Sequence, residues 1–303
     1  MRVASHDSVT SARKDRPRLG AHMSIAGGLH RALTRLRDVG GEALQIFLRS
    51  QRQWTSPPLT PDAVEEFLAA WKDCHCPPVA AHGSYLINLA SSEEDLVERS
   101  VRALADELRR AAILRIPYLV MHPGSHGGMG IEAGLSNVVR SLDRGIALAD
   151  APEMMVLIEN TAGQGAQLGA RFEELSFMFR EARFRDKLGM CFDTAHAFAA
   201  GYDLRSADSA LRTIEELERR VGLKRIKLVH LNDSKRELGS RVDRHEHIGQ
   251  GQIGLEGFRL LLNDRRLSGL PMVIETPKEN GLEKDRENLG VLRGLLLGAD
   301  TRR

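Results

Sequence analysis

Short apolar runs alternate along this chain with longer stretches whose apolar positions recur every three or four residues. The runs predict strands at Leu19–Met23, Ala43–Leu48, Pro78–His82, Tyr118–His122, Met155–Glu159, Leu188–Asp193, Ile226–Leu231 and Met272–Glu275. Most are almost wholly apolar, as expected for parallel strands covered on both faces. Helices are predicted in the gaps. The first carries Leu29, Leu33 and Leu36 on one face and stops at Gly40-Gly41. The second opens at Thr60-Pro61, a cap followed by proline in the first turn. The third opens at Ser91-Ser92-Glu93-Glu94, which predicts a capping box. The rest lie near Glu132–Ala149, Phe172–Ala182, Ala207–Val221, Leu255–Asn263 and Leu282–Leu297. Eight β/α pairs in order, with no linker, predict one closed (β/α)8 barrel, a TIM barrel, over an open doubly wound sheet.

Polar residues then fall at telling places. The third to sixth predicted strands end at His82, His122, Glu159 and Asp193; the seventh places His230 near its end, and the eighth ends at Glu275. In such a barrel the C-terminal strand ends face one mouth. His196 follows Asp193 by one helical turn, and Asp243-Arg244-His245 lies on the loop after the seventh strand. Five histidines and four carboxylates therefore converge, with few basic residues beside them. Unpaired carboxylates at one mouth repel one another and resist desolvation, so cations are their natural partners. Mixed imidazole and carboxylate donors without thiolate suit Zn²⁺, Mn²⁺ or Fe²⁺. Nine donors are too many for one ion, and two or three ions fit. His22 ends the first strand, and it reads as a hydrogen-bonding residue at the mouth rather than a ligand. His126 and His247 read the same way.

Composition changes this picture little. The chain has 303 residues, of which 42% are hydrophobic, enough to fill one barrel of about 250 residues. Its net charge of +2 neither demands nor excludes nucleic acid. Three cysteines, Cys74, Cys76 and Cys191, provide no disulfide framework and suit a reducing compartment, so a cytoplasmic location beside the nucleoid is expected. The Cys74-His75-Cys76 triplet lacks the spacing of a zinc pair. No run approaches a membrane span, and residues 1–18 lack the apolar core of a signal peptide. They are expected to form a disordered tail before a barrel over residues 19–297, with residues 298–303 as a C-terminal tail.

The segments His82-Gly83-Ser84-Tyr85-Leu86-Ile87-Asn88-Leu89, His122-Pro123-Gly124-Ser125-His126, Ile158-Glu159-Asn160-Thr161, Asp193-Thr194-Ala195-His196, His230-Leu231-Asn232-Asp233 and Arg241-Val242-Asp243-Arg244-His245 resemble those of the endonuclease IV family, in order along nearly the whole chain. The resemblance implies a three-zinc barrel that cuts duplex DNA on the 5′ side of abasic sites, leaving a 3′-hydroxyl and a 5′-deoxyribose phosphate. It implies 3′-phosphodiesterase or phosphatase action on blocked DNA ends as well. One zinc would be held by His82, His122 and Glu159, a second by Glu159, Asp193, His230 and Glu275, and a third by His196, Asp243 and His245. Mn²⁺ or Fe²⁺ would substitute. Glu159 and Glu275 are the candidate catalytic residues. The resemblance assigns Arg52 and Tyr85 to a wedge that enters the duplex, with Gln51 on the same loop as Arg52. Lys235, Arg241 and Arg244 are candidate phosphate contacts. The protein is expected to act as a monomer on abasic or damaged double-stranded DNA. Gly83, Ala195 and Gln250 depart from residues common in the family, and none is a proposed ligand.

Two other readings use the same residues. A sugar isomerase or epimerase barrel would employ Glu159, Asp193, His230 and Glu275 around one metal and leave the other five donors idle. A lesion-binding protein without catalysis would have no need of metal-activated water.

Overall fold

The computed structural model describes residues 16–279 and 281–297. Eight parallel strands close into a barrel: β1 (Arg18–His22), β2 (Leu44–Phe47), β3 (Val79–His82), β4 (Tyr118–Met121), β5 (Met155–Glu159), β6 (Leu188–Asp193), β7 (Ile226–His230) and β10 (Pro271–Ile274). The order round the barrel is β1-β10-β7-β6-β5-β4-β3-β2. A ribbon of β8 (Asp233–Ser234) and β9 (His245–Glu246), which the sequence reading did not expect, folds back over the end of β7.

Helices α1 (His30–Asp38), α2 (Pro61–Asp73), α3 (Glu94–Ile113), α4 (Ile131–Ala149), α5 (Phe172–Glu181), α7 (Ala207–Arg220), α8 (Gly254–Leu262) and α9 (Glu283–Gly294) form the outer ring. One further short helix, α6 (Thr194–Ala200), follows β6 directly and was not foreseen, because seven mostly small residues carry no clear helical stripe. Leu33 and Leu36 of α1 are buried, and Gly40, at φ +68°, turns the chain after it. Thr60 caps α2 by accepting from the Ala63 N–H at 3.3 Å. The capping box expected at α3 does not form. Helix α3 starts two residues later than that pattern requires, with Glu93 at its N-cap, and Ser91 Oγ accepts from Glu93 N instead. A reciprocal box does form at α7, between Ser206 and Ser209.

Arg16 to Arg18, expected to belong to the N-terminal tail, make defined contacts with the barrel. Arg18 is the first residue of β1, and its N–H bonds Leu270 O at 3.1 Å. Arg16 pairs bidentately with Glu42 at 2.6 and 2.9 Å. Polar side chains at the bottom of the barrel hid this start from a hydrophobic reading. Residues 1–15 and 298–303 lie outside the described residues.

Outward faces of the strands pack on the helices through one large apolar core that includes Leu19, Ile46, Leu119, Ile158 and Phe192. Each such buried side chain contributes roughly 1.5–3 kcal/mol. A second, small cluster of Ala43, Ala80, Val120, Leu157, Cys191, Leu228 and Val273 plugs the barrel interior. At Gly20 the backbone approaches β2 so closely that a Cβ would stand 1.6 Å from Ala43 O. Among the described residues no helix is long and apolar enough to cross a membrane.

Candidate metal centre

Side chains alternate along a strand, so the residue two places beyond each member of the interior plug points into the same lumen, one step nearer the mouth. In chain order those residues are Gln45, His82, His122, Glu159, Asp193, His230 and Glu275. His122 and Glu275 stand one residue past the observed ends of β4 and β10 rather than on them. His196 enters from α6, and His245 from β9 with Asp243 two residues ahead of it. All nine residues singled out from the sequence meet at this mouth.

Glu159 is the centre of the arrangement. It is fully buried, with Oε2 3.2 Å from both His82 Nε2 and His122 Nε2, and Oε1 3.0 Å from His230 Nδ1 and 3.2 Å from His196 Nδ1. His230 Nδ1 also faces Glu275 Oε2 at 3.2 Å and Asp193 Oδ2 at 3.6 Å. Asp243 Oδ2 lies 3.2 Å from His196 Nε2, and its Oδ1 lies 3.4 Å from His245 Nε2. Among the described residues no Lys or Arg pairs with Glu159, Asp193, Asp243 or Glu275.

Donor atoms within 4.8 Å of one another form groups of His82, His122 and Glu159; of Glu159, Asp193, His230 and Glu275; and of Asp193, His196 and His245. The first two match the expected groups. The third substitutes Asp193 for Asp243, because Asp193 sits at the N-cap of α6, accepts from His196 N at 2.7 Å, and so faces both neighbouring groups. Asp243 remains against both imidazoles of that group.

Four of the histidines share a wiring pattern. One ring nitrogen is tied to a neutral oxygen, which leaves the other for the cage. His82 Nδ1 bonds Gly83 O at 2.8 Å, His196 Nδ1 bonds Asn160 O at 2.9 Å, and His245 Nδ1 bonds Glu275 O at 3.2 Å. His230 Nε2 bonds Gln45 Oε1 at 2.8 Å. Such outer bonds select the tautomer and aim a lone pair at a metal. His245 Nε2 is buried and has no hydrogen-bond partner, although two carboxylates face it. An orphaned imidazole nitrogen amid ionised carboxylates fits a bound cation.

The electrostatics agree. Burial alone would raise Glu159 and Glu275, but the facing histidines reverse it and hold both carboxyls well below the usual range. Burial pushes Asp243 upward too, yet the bond from His196 and its neighbours' charge bring it to about 2. Burial would lower His82, His196 and His230, and the carboxylates raise all three instead. Without metal, protons occupy the places where cations belong.

Three residues of this centre went unassigned in the sequence reading. Gln45 is fully buried; its Nε2 donates to Glu275 Oε1 at 2.6 Å while its Oε1 takes His230. Asn160 grips the backbone of Asp193 through both amide atoms, at 2.8 and 2.9 Å. Asn232 Nδ2 donates to Asp193 Oδ2 at 2.7 Å, and its Oδ1 accepts Glu275 N at 2.7 Å. The available signal was a lone amide in or beside an apolar strand. Cys191 lies within reach of Glu159 and His230, but burial pushes its thiol up to about 12, so it stays protonated in the plug. His22 behaves as expected, with Nδ1 3.0 Å from Glu275 Oε1. His126 Nδ1 accepts two backbone N–H groups, and His247 Nδ1 meets Asn288.

On the rim, Tyr85 is 63% exposed and rests edge-on over Phe47, while Arg52 is exposed. Gln51 turns inward and accepts Tyr85 N at 3.1 Å. Trp54 packs against the core with Arg99 above its ring. Lys235 is exposed 3.7 Å from Glu246; Arg244 bonds Asp243 O; Arg241 is exposed at φ +53°.

Residues 33–295 match the family model described as a xylose isomerase-like TIM barrel. A protein named probable endonuclease 4 from Chloroflexus aggregans is 52% identical over 280 residues, which are 92% of this chain and 98% of that one. The crystal structure of endonuclease IV from Thermus thermophilus superposes with a TM-score of 0.82 at 40% identity, covering 92% of this chain and 98% of that one. A D-tagatose 3-epimerase-like structure matches with a TM-score of 0.69 but only 20% identity, over 92% of this chain and 96% of that one, and so shares the fold alone. With half the residues of a full-length relative retained and the same barrel beneath them, this chain belongs to the endonuclease IV family.

Proposed function

We propose that this enzyme hydrolyses the phosphodiester bond on the 5′ side of abasic sites in duplex DNA, leaving a 3′-hydroxyl and a 5′-deoxyribose phosphate. The observation that carries the proposal is the cage itself: nine imidazole and carboxylate donors at one barrel mouth, with no Lys or Arg among the described residues paired to the carboxylates. His82, His122 and Glu159 would hold one zinc; Glu159, Asp193, His230 and Glu275 a second; and His196, Asp243 and His245 a third, with Asp193 at its border. Mn²⁺ or Fe²⁺ suits the same donors. Bound divalent metal lowers the pKa of water towards ~7 and offsets charge on phosphate oxygens.

The chain's own residues do the rest. Glu159 presents one oxygen to each side of the cage and is suited to bridge two ions. Glu275 has one oxygen held by Gln45 and His22 and turns the other towards His230, where it would meet the second ion and orient the attacking water. Three divalent ions against four carboxylates would leave a net positive site for the scissile phosphate. Arg52 and Tyr85 project from the rim and would enter the duplex in place of a displaced nucleotide, with Gln51 fixing their loops. Lys235, Arg241 and Arg244 would contact flanking phosphates. Blocked 3′ ends offer the same phosphorus centre, so 3′-phosphodiesterase and phosphatase action belong to the same site.

The test joins metal analysis to a nicking assay on a duplex with a single abasic site. Three ions per chain and 5′ incision are expected. One ion per chain, with turnover of a ketose and none of DNA, would establish the epimerase reading.

A further inference from the structure

The loops that carry Arg52 and Tyr85 are joined beneath the surface by one buried ion pair, Arg49–Glu107, with side chains 1% and 0% exposed. Arg49 follows β2, and Glu107 lies midway along α3. Glu107 Oε1 accepts Arg49 Nε at 2.9 Å and the Ser84 N–H at 3.1 Å. Arg49 Nη1 donates to Gln53 O at 2.6 Å. Gln51 closes the ring: its Nε2 donates to Arg49 O at 3.3 Å, and its Oε1 accepts Tyr85 N. Above this network Arg52 makes no side-chain hydrogen bond or ion pair among the described residues. The projecting side chains are therefore placed by the backbone underneath them.

A buried charge pair is a poor device for stability alone, since apolar residues of similar volume often serve as well. What this pair does is geometric. A single carboxylate oxygen holds the loop after β3 directly and the loop after β2 through a guanidinium. We propose that Glu107 is a positioning residue for DNA insertion, holding both loops in one arrangement so that Arg52 and Tyr85 enter the duplex together. The inference rests on the nuclease reading above.

The test compares wild type, Glu107→Gln and the double variant Arg49→Met/Glu107→Leu, which removes both charges and so guards against misfolding from an unpaired one. Hydrogen exchange of residues 49–54 and 83–88 should quicken in both variants, with the remaining barrel unchanged. Affinity for an abasic duplex should weaken about tenfold while kcat stays within about twofold, because preorganisation rather than chemistry is lost. Metal per chain should match wild type. Adding Tyr85→Ala to Glu107→Gln should cost far less than Tyr85→Ala costs alone, as coupled residues do. Unchanged exchange in the folded double variant, unchanged affinity, or full additivity with Tyr85→Ala would overturn the inference while wild-type nicking leaves the nuclease reading standing. A wild type that neither binds nor nicks the duplex would remove both.

Discussion

Two layers of the same barrel lie a single pleat apart and have opposite chemistry. The lower layer is Ala43, Ala80, Val120, Leu157, Cys191, Leu228 and Val273, with Gly20 completing the circle on β1. The upper layer, two residues further along each strand, is Gln45, His82, His122, Glu159, Asp193, His230 and Glu275, with His22 on β1. The step between them is about 6.6 Å. Below it, small and branched side chains fill the lumen, with the protonated Cys191 thiol among them; above it, every side chain is polar. The plug gives the cage a dry floor, and in a dry site each charge interacts more strongly than it would in water.

The largest expected effect separates the layers at Glu159. Glu159→Gln should cut abasic-site turnover by ~10²–10³-fold or more and leave fewer ions per chain by elemental analysis. Turnover and metal content near wild type would show that the upper layer is not the catalytic one. The counterpart below is Leu157→Ala, which should cost ~2–5 kcal/mol in denaturant unfolding while the full metal complement is kept. A loss of ions from that variant would mean that the layers are not separable. Gln45→Leu should weaken metal binding about 10–100-fold in chelator competition, because it frees the outer nitrogen of His230 and one oxygen of Glu275.

The smallest effect is on pH. His82, His196 and His230 are raised above their ordinary 6.5 in the metal-free protein, so the stability they contribute is fully present below pH 6.5 and lost as pH rises through their higher folded values. Glu159 and Glu275 are lowered from 4.5, so their contribution is present above pH 4.5 and lost in stronger acid. The melting temperature of metal-free protein should peak between those limits and fall towards alkaline pH, whereas zinc-loaded protein should hold its stability through neutrality. Parallel profiles for the two forms would contradict the exchange of protons for metal.

The sequence disclosed the upper layer because residues rarely tolerated in buried strands stood at successive strand ends. It singled out Glu159 and His230 as candidate donors, yet it left Gln45 unassigned, since a neutral amide did not fit a donor set of imidazoles and carboxylates and its partners come from the far side of the barrel. Asp193 could be named but not its double allegiance, which depends on α6 starting immediately after β6. The ribbon that delivers Asp243 and His245 has two-residue strands, too short for any periodicity. At the proposed wedge, Arg52 and Tyr85 came from resemblance, while Glu107, inside the third predicted helix, was not singled out. Only the packing of α3 against the first loops shows that it faces inward.

The intimate seam at Gly20 and Ala43 fixes how the first and second strands slide against each other. A shift of one residue on a donor-bearing strand would turn its donor outward into the helical ring and bring a neighbouring residue into the cage in its place. On the proposed metal reading, ion uptake would inspect the protein's own assembly: a ring closed one notch out of step would present an incomplete set of ligands and go unloaded.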